Sequence, residues 1–347
     1  MLQRFLPLWL TALCGVAWLW PQSPLAEYDP FAATAPQLKY LIGVTMFAIG
    51  CLLEREEVRN VLRRWPVVLG GTTAQYLVMP TAAWLTGRLF GLEGDLLLGV
   101  LMVGCVPGAM ASNVLTLTAR GNVSYSVSLT TAATMLSPVV VPGVLYLATR
   151  ETDIDRVRLA RDAFVTLVTQ VAGPVIAGHL LARNIRRLSE VMQWLGPLVA
   201  NFSILWIIAV IVNAHHASIA SATGRLWPAL LLINLVGYSA GWLAGSWMRL
   251  TDGMRKALVL EIGLQNAGLG SVLAKELLPG RSEAALPPVL YMFGCMLTGT
   301  LLAHWLGRCT PAEAVPLTGT AKGARAEDIS AGESAAGKPA AEESVSG

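Results

Sequence analysis

Residues 255–278 read RKALVLEIGLQNAGLGSVLAKELL, an apolar stretch about as long as a helix needs to be to cross the hydrocarbon core of a bilayer. The other charged residues of this stretch lie near its two ends, whereas Glu261 is a carboxylate several residues inside it. Placing an unpaired carboxylate at that depth costs at least about 2.5–3.5 kcal/mol even on insertion scales. Glu261 therefore needs a cation, a proton or a partner, and the glycines and amides that follow it allow the helix to unwind there. We expect a transmembrane helix that is interrupted at its centre.

The composition of the whole chain is that of a membrane protein. Of 347 residues, 54% are hydrophobic and 14% are charged, whereas about a quarter of the residues of a soluble domain are charged. The mean hydropathy of +0.57 excludes an ordinary cytosolic enzyme. A net charge of +3, from 25 basic and 22 acidic side chains, gives no electrostatic reason to expect a nucleic acid partner.

Ten apolar windows lie between the charged clusters. The first is short and also compatible with a cleaved signal peptide, but Trp18, Trp20 and Pro21 close it as an interfacial anchor would, which favours a retained span. After the second window, residues 54–64 have the pattern of a short amphipathic helix on the membrane surface. The predicted spans are 5–20, 37–53, 66–86, 95–118, 122–149, 163–183, 194–213, 226–248, 255–278 and 286–307.

The distribution of Lys and Arg predicts the orientation of the chain. With the N-terminus inside, the inside loops carry more basic residues than the outside loops, as the positive-inside rule requires. We therefore expect a multi-pass protein of the cell (inner) membrane with both termini in the cytoplasm. The main exception is the predicted loop at 150–162, whose arginines are matched by acidic residues. Residues 311–347 show no apolar periodicity and predict a disordered cytoplasmic tail.

The charged loop at 150–162 divides the spans into two sets of five. Because each set has an odd number of crossings, the second set enters the membrane from the opposite side, and any homology between the sets is an inverted repeat. Span four and span nine occupy equivalent positions, and both have glycine and amide residues at mid-membrane. The predicted fold is an all-α polytopic membrane protein of ten transmembrane helices in two inverted five-helix repeats.

Span four is predicted to break as well. Pro107 removes a backbone donor and Gly108 allows the chain to leave the helix, and Ser112 and Asn113 follow with oxygen atoms. No Lys or Arg lies at the depth of Glu261 in another predicted span, which leaves a bound cation or a protonated acid. Hard oxygen ligands select alkali or alkaline-earth ions, and a divalent ion normally attracts several carboxylates. With one carboxylate available, sodium is favoured.

Motifs for metal-dependent or nucleophilic catalysis are missing from the sequence. The five cysteines form no CxxC pair, the four histidines have no metal-ligand spacing, and neither HExxH nor GxSxG occurs. We predict no catalytic residues and no enzymatic activity. A membrane-embedded enzyme would depend on Ser112 and Glu261 without a well-placed histidine. A channel is disfavoured because the polar residues cluster at mid-membrane between apolar flanks.

Three strings, in this order along the chain, resemble the bile acid:sodium symporter family in its bacterial ten-helix form. They are PGAMASN at 107–113, ARGN at 119–122 with Ser126 and Thr130, and EIGLQNAG at 261–268. The resemblance covers residues 1 to about 310 and implies a ten-helix transporter domain at 1–310. It implies a panel domain of spans 1, 2, 6 and 7 and a core domain of spans 3–5 and 8–10, in which broken spans four and nine cross.

The resemblance also implies two transported sodium ions and their ligands. The ligands implied for the first ion are Ser112, Asn113, Ser126, Thr130 and Glu261, and those for the second are Gln75, Glu261, Ile262, Leu264 and Gln265.

The resemblance does not determine the cargo. Residues 108–110 are Gly-Ala-Met where the family usually has Gly-Gly-Thr beside the substrate cavity, which leaves the cargo open. The candidate substrate contacts are Asn266, Met110 and Ala109.

Taken with these residues, the resemblance implies a sodium-coupled symporter that carries an organic anion by alternating access. The cargo would be bile-acid-like or a small carboxylate such as pantoate. Membrane lipid is the other expected partner, and no obligate protein partner is evident. A proton-coupled organic-anion transporter, with Glu261 as the proton carrier, is the alternative.

Overall fold

The computed structural model describes residues 6–150, 152, 154–217 and 223–309, and the tail predicted at 311–347 lies outside them. Over the described residues the chain is helical and contains no β-strand, as an all-α membrane protein requires. The helices are α1 (Leu6–Leu19), α2 (Pro30–Thr34), α3 (Leu38–Leu52), α4 (Arg55–Arg63), α5 (Trp65–Leu89), α6 (Gly94–Cys105), α7 (Ala111–Thr118), α8 (Val123–Ala148), α9 (Arg156–Leu167), α10 (Gly173–Asn184), α11 (Arg186–Ala214), α12 (Thr223–Trp247), α13 (Asp252–Gly263), α14 (Ala267–Leu277) and α15 (Leu286–Arg308).

Six helical segments in the described part of the chain are long and apolar enough to cross a bilayer, which agrees with a multi-pass membrane protein. Gly94–Cys105 is a shorter apolar helix. Spans four and nine are each divided into two short helices, α6 with α7 and α13 with α14, so the predicted interruptions are confirmed. The six segments are Ala26–Leu52, Val123–Ala148, Arg156–Asn184, Arg186–Ala214, Gly224–Trp247 and Ser282–Arg308.

The charged segment predicted as a loop at 150–162 is helical from Arg156 onwards. The carboxylate of Asp155 accepts hydrogen bonds of 3.1 Å from the N–H groups of Val157 and Arg158 and caps α9. Arg158 then pairs with Asp162, one turn along the helix, at 3.6 Å. The apolar window at 163–183 marks only the part of the helix that is compatible with hydrocarbon. The cap and the ion pair allow α9 to begin earlier, at Arg156.

Two groups of helices are distinguished by their mutual packing. In the first group α3 packs on α10 and α11, and α11 also packs on α1. In the second group α5 packs on α6, α8 and α12, and α12 packs on α13 and α15. A Cβ on Gly241 of α12 would lie 2.5 Å from the Cα of Val259, so this glycine permits the close approach of α12 and α13.

Helix α4 connects the two groups at the C-terminal end of α3. Its bounds match the amphipathic helix predicted at 54–64. Asn60 of α4 lies 3.4 Å from the hydroxyl of Ser124 of α8, and Arg55 donates to the carbonyl of Arg183 of α10 at 3.4 Å. At the other end of α3, the Nζ of Lys275 on α14 donates to the carbonyl of Ala35 at 2.9 Å. The two groups are therefore joined at both ends of α3.

Candidate functional site

The two interrupted helices cross where they unwind. The segment between α6 and α7 runs antiparallel to the segment between α13 and α14, with Gly108 opposite Gln265. The N–H of Ala109 donates to the carbonyl of Leu264 at 2.7 Å, and the N–H of Asn266 donates to the carbonyl of Pro107 at 2.8 Å. These two bonds satisfy backbone groups that the broken helices leave without intrahelical partners.

Gly108 passes directly over the carboxylate of Glu261. A Cβ on Gly108 would overlap Glu261 Oε1 and lie 2.7 Å from the carboxyl carbon. Glycine is therefore required here by a close approach of backbone to side chain. This contact places the break in span four directly against Glu261, the one carboxylate that the sequence predicts well inside a span.

Glu261 is fully buried and bound by two hydroxyl groups. Ser112 of α7 donates to Glu261 Oε2. The Oγ1 of Thr130 on α8 lies 2.8 Å from both carboxylate oxygens and, with its single proton, donates to one of them at a time. The site thus assembles a charged group from α13 with hydroxyl groups from α7 and α8, and it leaves lone pairs on the carboxylate for a cation.

The other residues implied for the first ion lie next to this cluster. Ser126 is buried one turn before Thr130. Its carbonyl lies 3.1 Å from the Thr130 hydroxyl and is an alternative acceptor to Glu261 for the single proton of that hydroxyl, and its own hydroxyl accepts from Thr116 at 3.3 Å. The Oδ1 of Asn113 is buried and has no hydrogen-bond partner among the described residues. A buried acceptor without a donor costs about 1–3 kcal/mol, and a bound cation would satisfy it.

The residues implied for the second ion lie around the other break. The Nε2 of Gln265 donates to the carbonyl of Ile262 at 2.8 Å, and the carbonyl of Leu264 accepts from Ala109. Each carbonyl retains a second lone pair. Within the described chain, Gln265 Oε1 is buried without a hydrogen-bond partner. An oxygen atom that faces no donor is the kind of ligand that an alkali cation takes. Gln75 Nε2 is also buried without a partner in the described chain, but it is a donor and does not itself favour a cation.

A cavity of about 230 Å³ lies between the first helix group and the crossing. Residues of α3 and α10 give it an apolar wall, whereas the crossing and α8 supply its polar groups. Of the candidate substrate contacts, Met110 and Asn266 line the cavity, while Ala109 packs against the apolar core beside it. The Oδ1 of Asn266 caps α14 by accepting from Leu269 N–H at 3.1 Å, so its amide N–H groups are the part available to a ligand.

Side chains of α12 and α15 support the second break, and sequence reasoning did not identify them. The carbonyl of Gly263, the last residue of α13, accepts from Asn234 Nδ2 and from the Tyr291 hydroxyl, each at 2.8 Å. The Thr298 hydroxyl donates to Asn234 Oδ1 at 2.7 Å. The sequence does contain one signal for this contact, because Asn234 is the single amide within the apolar window of span eight. A buried amide needs hydrogen-bond partners.

Comparisons with known proteins identify relatives of the chain among sodium-coupled transporters. The profile of the Sodium Bile acid symporter family matches residues 40–222. The chain is 31% identical over 280 residues to the uncharacterized sodium-dependent transporter YocS of Bacillus subtilis, which covers 79% of this chain and 84% of that protein. It is 27% identical over 298 residues to the probable chloroplastic sodium/metabolite cotransporter BASS1 of Oryza sativa, covering 86% and 71%. It is 27% identical over 244 residues to the human ileal sodium/bile acid cotransporter, covering 69% and 68%.

Proposed function

Because the chain belongs to the Sodium Bile acid symporter family, we propose that it carries an organic anion across the membrane together with two sodium ions. The observation that carries this proposal is the crossing of two broken helices over the buried carboxylate of Glu261. Next to that carboxylate, Asn113 and Gln265 present buried oxygens without donors among the described residues. The relatives named as sodium-dependent transporters or cotransporters support sodium as the coupling ion.

The two ions share the carboxylate of Glu261. In the first site, the oxygens of Asn113 and the hydroxyl groups around Glu261 take the place of the hydration shell. In the second site, Gln265 and main-chain carbonyls of the second break do so. The first set is Ser112, Asn113, Ser126, Thr130 and Glu261, and the second is Gln75, Glu261, Ile262, Leu264 and Gln265.

Charge balance gives the order of events. Without sodium, the carboxylate of Glu261 repels an anion. Two sodium ions on one carboxylate leave the crossing with a charge of +1, which an anionic cargo neutralises. The ions and cargo together carry a charge of +1 across the membrane, so a potential of 100 mV contributes about 2.3 kcal/mol to uptake in addition to the sodium gradient.

Alternating access would move one helix group against the other. The proposed panel is the group of α1, α3, α10 and α11, and the proposed core is the group that contains both broken helices, within a domain at 1–310. The cavity lies at the boundary of the two groups, as a site that opens in turn to each side must. Rocking towards the other state would break the bond between Lys275 and Ala35.

Two features support the ten-span topology with inverted repeats. Helices α6 and α13 each have 12 residues, each has an acidic residue in its first turn, and each ends at a break. Antiparallel pairing of the breaks is what two halves inserted in opposite directions produce. With the N-terminus in the cytoplasm of a cell (inner) membrane protein, α4 and the adjacent end of the cavity face the cytoplasm.

The experiment is uptake into proteoliposomes of a panel of organic anions that contains taurocholate, pantoate and pyruvate, with a sodium gradient or with choline at fixed pH. We expect uptake in sodium alone, and Glu261→Gln to abolish it while the protein stays monodisperse. Glu93→Gln, which changes an exposed carboxylate just before α6, is the matched control and should behave as wild type. Uptake that persists in choline would instead assign proton coupling to Glu261, and sodium-driven uptake by Glu261→Gln would overturn the site.

A further inference from the structure

One ionisable side chain lines the cavity within the described residues, and it is the carboxylate of Glu57 on α4. The remaining lining side chains are apolar or neutral, so no Lys, Arg or His of the described chain faces this space. An anion in the cavity therefore meets a second negative charge and no cationic side chain. The proposed ion sites do not account for Glu57, because it lies outside the crossing.

The lining of the cavity follows α3 to α4. Met46 and Ile49 of α3 line it, Leu53 lines it directly after the last residue of α3, and Glu57 follows on α4. The carboxylate is held by a capping box, in which Glu57 Oε2 accepts from the N–H of Glu54 at 3.0 Å. Burial raises the pKa of the Glu57 carboxyl, and the hydrogen bond from Glu54 opposes this. The group is therefore partly desolvated at the end of the cavity away from the crossing.

We propose that Glu57 is a specificity-determining residue that restricts the cargo to organic monoanions and excludes dianions. This inference rests on the proposed function. In the sodium-loaded protein the cavity lining is positive at the crossing, and its charged side chain at α4 is the carboxylate of Glu57, whereas the arginines of α4 are not among the lining residues. A monocarboxylate places its charge at the crossing, whereas a dicarboxylate of the same length directs its second charge towards Glu57 along an apolar wall that screens it poorly.

Glu57 also makes binding depend on sodium. Before the ions bind, Glu57 and Glu261 put a negative charge at both ends of the cavity. An anion then has no positive region to occupy, so the cargo binds only after sodium.

A cysteine in the cavity measures this charge without any cargo. Cys309, the exposed one of the described cysteines, is first replaced by serine, because the other four are buried. Val127→Cys then places a thiol on the part of α8 that lines the cavity, between Ser124, which contacts α4, and Thr130 at the crossing. In detergent, the rate of modification is measured with two methanethiosulfonates, one carrying a trimethylammonium group and the other a sulfonate group. We expect the cationic reagent to react faster, and Glu57→Gln to lower the ratio of the two rates on the order of tenfold, because it removes one negative charge from the cavity lining.

The adjacent carboxylate provides the control. Glu56 is exposed and pairs with Arg59 at 3.5 Å, so Glu56→Gln should leave the ratio unchanged. Glutamine at 57 can still accept the capping hydrogen bond, which keeps α4 in place. An unchanged ratio in Glu57→Gln, or an equal change in Glu56→Gln, would overturn the assignment of Glu57.

Selectivity is then measured by thermal stabilisation of the full chain in sodium or in choline. The probes are mono- and dicarboxylates matched in length from three to six carbons, with taurocholate as a larger monoanion. We expect stabilisation in sodium by monoanions but not by the matched dianions, and stabilisation by both in Glu57→Gln. Equal stabilisation of wild type by a matched pair would refute the inference and leave the proposed function standing. No sodium-dependent stabilisation by any monoanion would refute the proposed function, while the reagent ratio would still decide whether the charge of Glu57 governs the cavity.

Discussion

The break between α6 and α7 and the break between α13 and α14 pair with each other in antiparallel fashion but differ in chemistry. The first break begins with a proline and supplies a glycine, a hydroxyl and an amide, with no charge. The second supplies the carboxylate of Glu261 and is braced from behind by Asn234 and Tyr291, which donate to its last helical carbonyl. Among the described hydrogen bonds, no side chain donates to the carbonyl of Cys105, the last residue of α6.

This difference indicates that the two breaks have different roles. The second break holds the carboxylate on which the proposed ion sites depend, and the two hydrogen bonds to the Gly263 carbonyl fix the end of the helix that carries it. The first break supplies the surface that closes over the charge, and its essential property is the absence of a side chain at Gly108. Substitutions at the two breaks should therefore fail for different reasons.

The largest effect is expected for Gly108→Ala at the first break. The new Cβ would overlap the Glu261 carboxylate, so the two segments must separate. We expect more than about tenfold loss of sodium-dependent uptake and destabilisation of about 1–3 kcal/mol, as for other overpacked sites. The control is Gly143→Ala on α8, where a Cβ meets no atom within 4 Å. If both variants transport equally well, the close approach at Gly108 is not required for the site.

A smaller effect is expected for Asn234→Leu behind the second break. The change keeps the branching at Cγ but removes one of two donors to the Gly263 carbonyl. We expect a loss of about 1–3 kcal/mol, seen as a lower Tm, and a severalfold higher sodium concentration for half-maximal uptake. Ser239→Ala on the same helix removes an exposed hydroxyl and should change neither. A lower Tm with an unaltered sodium dependence would show that the brace stabilises the fold without positioning the ion site.

The smallest effect is expected at the start of α13, far from its break. Asp252 Oδ2 lies 2.7 Å from the Nζ of buried Lys256, and this hydrogen bond lowers the pKa of Asp252 below its ordinary 3.8, against the opposing effect of burial. The ionised pair therefore adds stability in full above about pH 4, and the contribution is lost as the pH falls through the depressed pKa.

Because the Asp252 side chain is 53% exposed, solvent screens the pair and Asp252→Asn should cost less than about 1 kcal/mol at pH 7. The difference in Tm between wild type and this variant should decrease steadily as the pH falls below 3.8 and through the depressed pKa of Asp252. Glu190→Gln, at an exposed pair on α11, serves as the control. A difference that stays the same as the pH falls through this range would mean that the pair is not the origin of the effect.

Sequence reasoning located both breaks because their signals are local. Pro107 removes a backbone donor wherever it lies, and a carboxylate such as Glu261 is rare within an apolar window. Ser126, Thr130 and Gln75 carry no such signal, since hydroxyls and amides are common between packed transmembrane helices. They were identified through the family resemblance, and which of them contact Glu261 depends on how α8 and α5 pack against α13.

Two features could not be predicted for physical reasons. The brace at Gly263 joins α12 and α15, which are distant in sequence, through single side chains whose orientation depends on packing. The charged turns at the start of α9 looked like a loop because hydropathy measures compatibility with lipid, whereas a cap such as Asp155 determines where a helix begins. Glu57 was assigned to a surface helix, and its position at the cavity follows only from the contact of α4 with α8.

The pair of hydrogen bonds that joins the two breaks comes entirely from main-chain atoms: the N–H groups of Ala109 and Asn266 and the carbonyls of Leu264 and Pro107. Every residue type has the carbonyl, and every type except proline has the N–H. Evolution can therefore exchange the side chains on either side of Gly108, including those that face the cavity, without loosening this junction. A lineage can thus acquire a new cargo by point substitution while it inherits the junction of the two breaks unchanged.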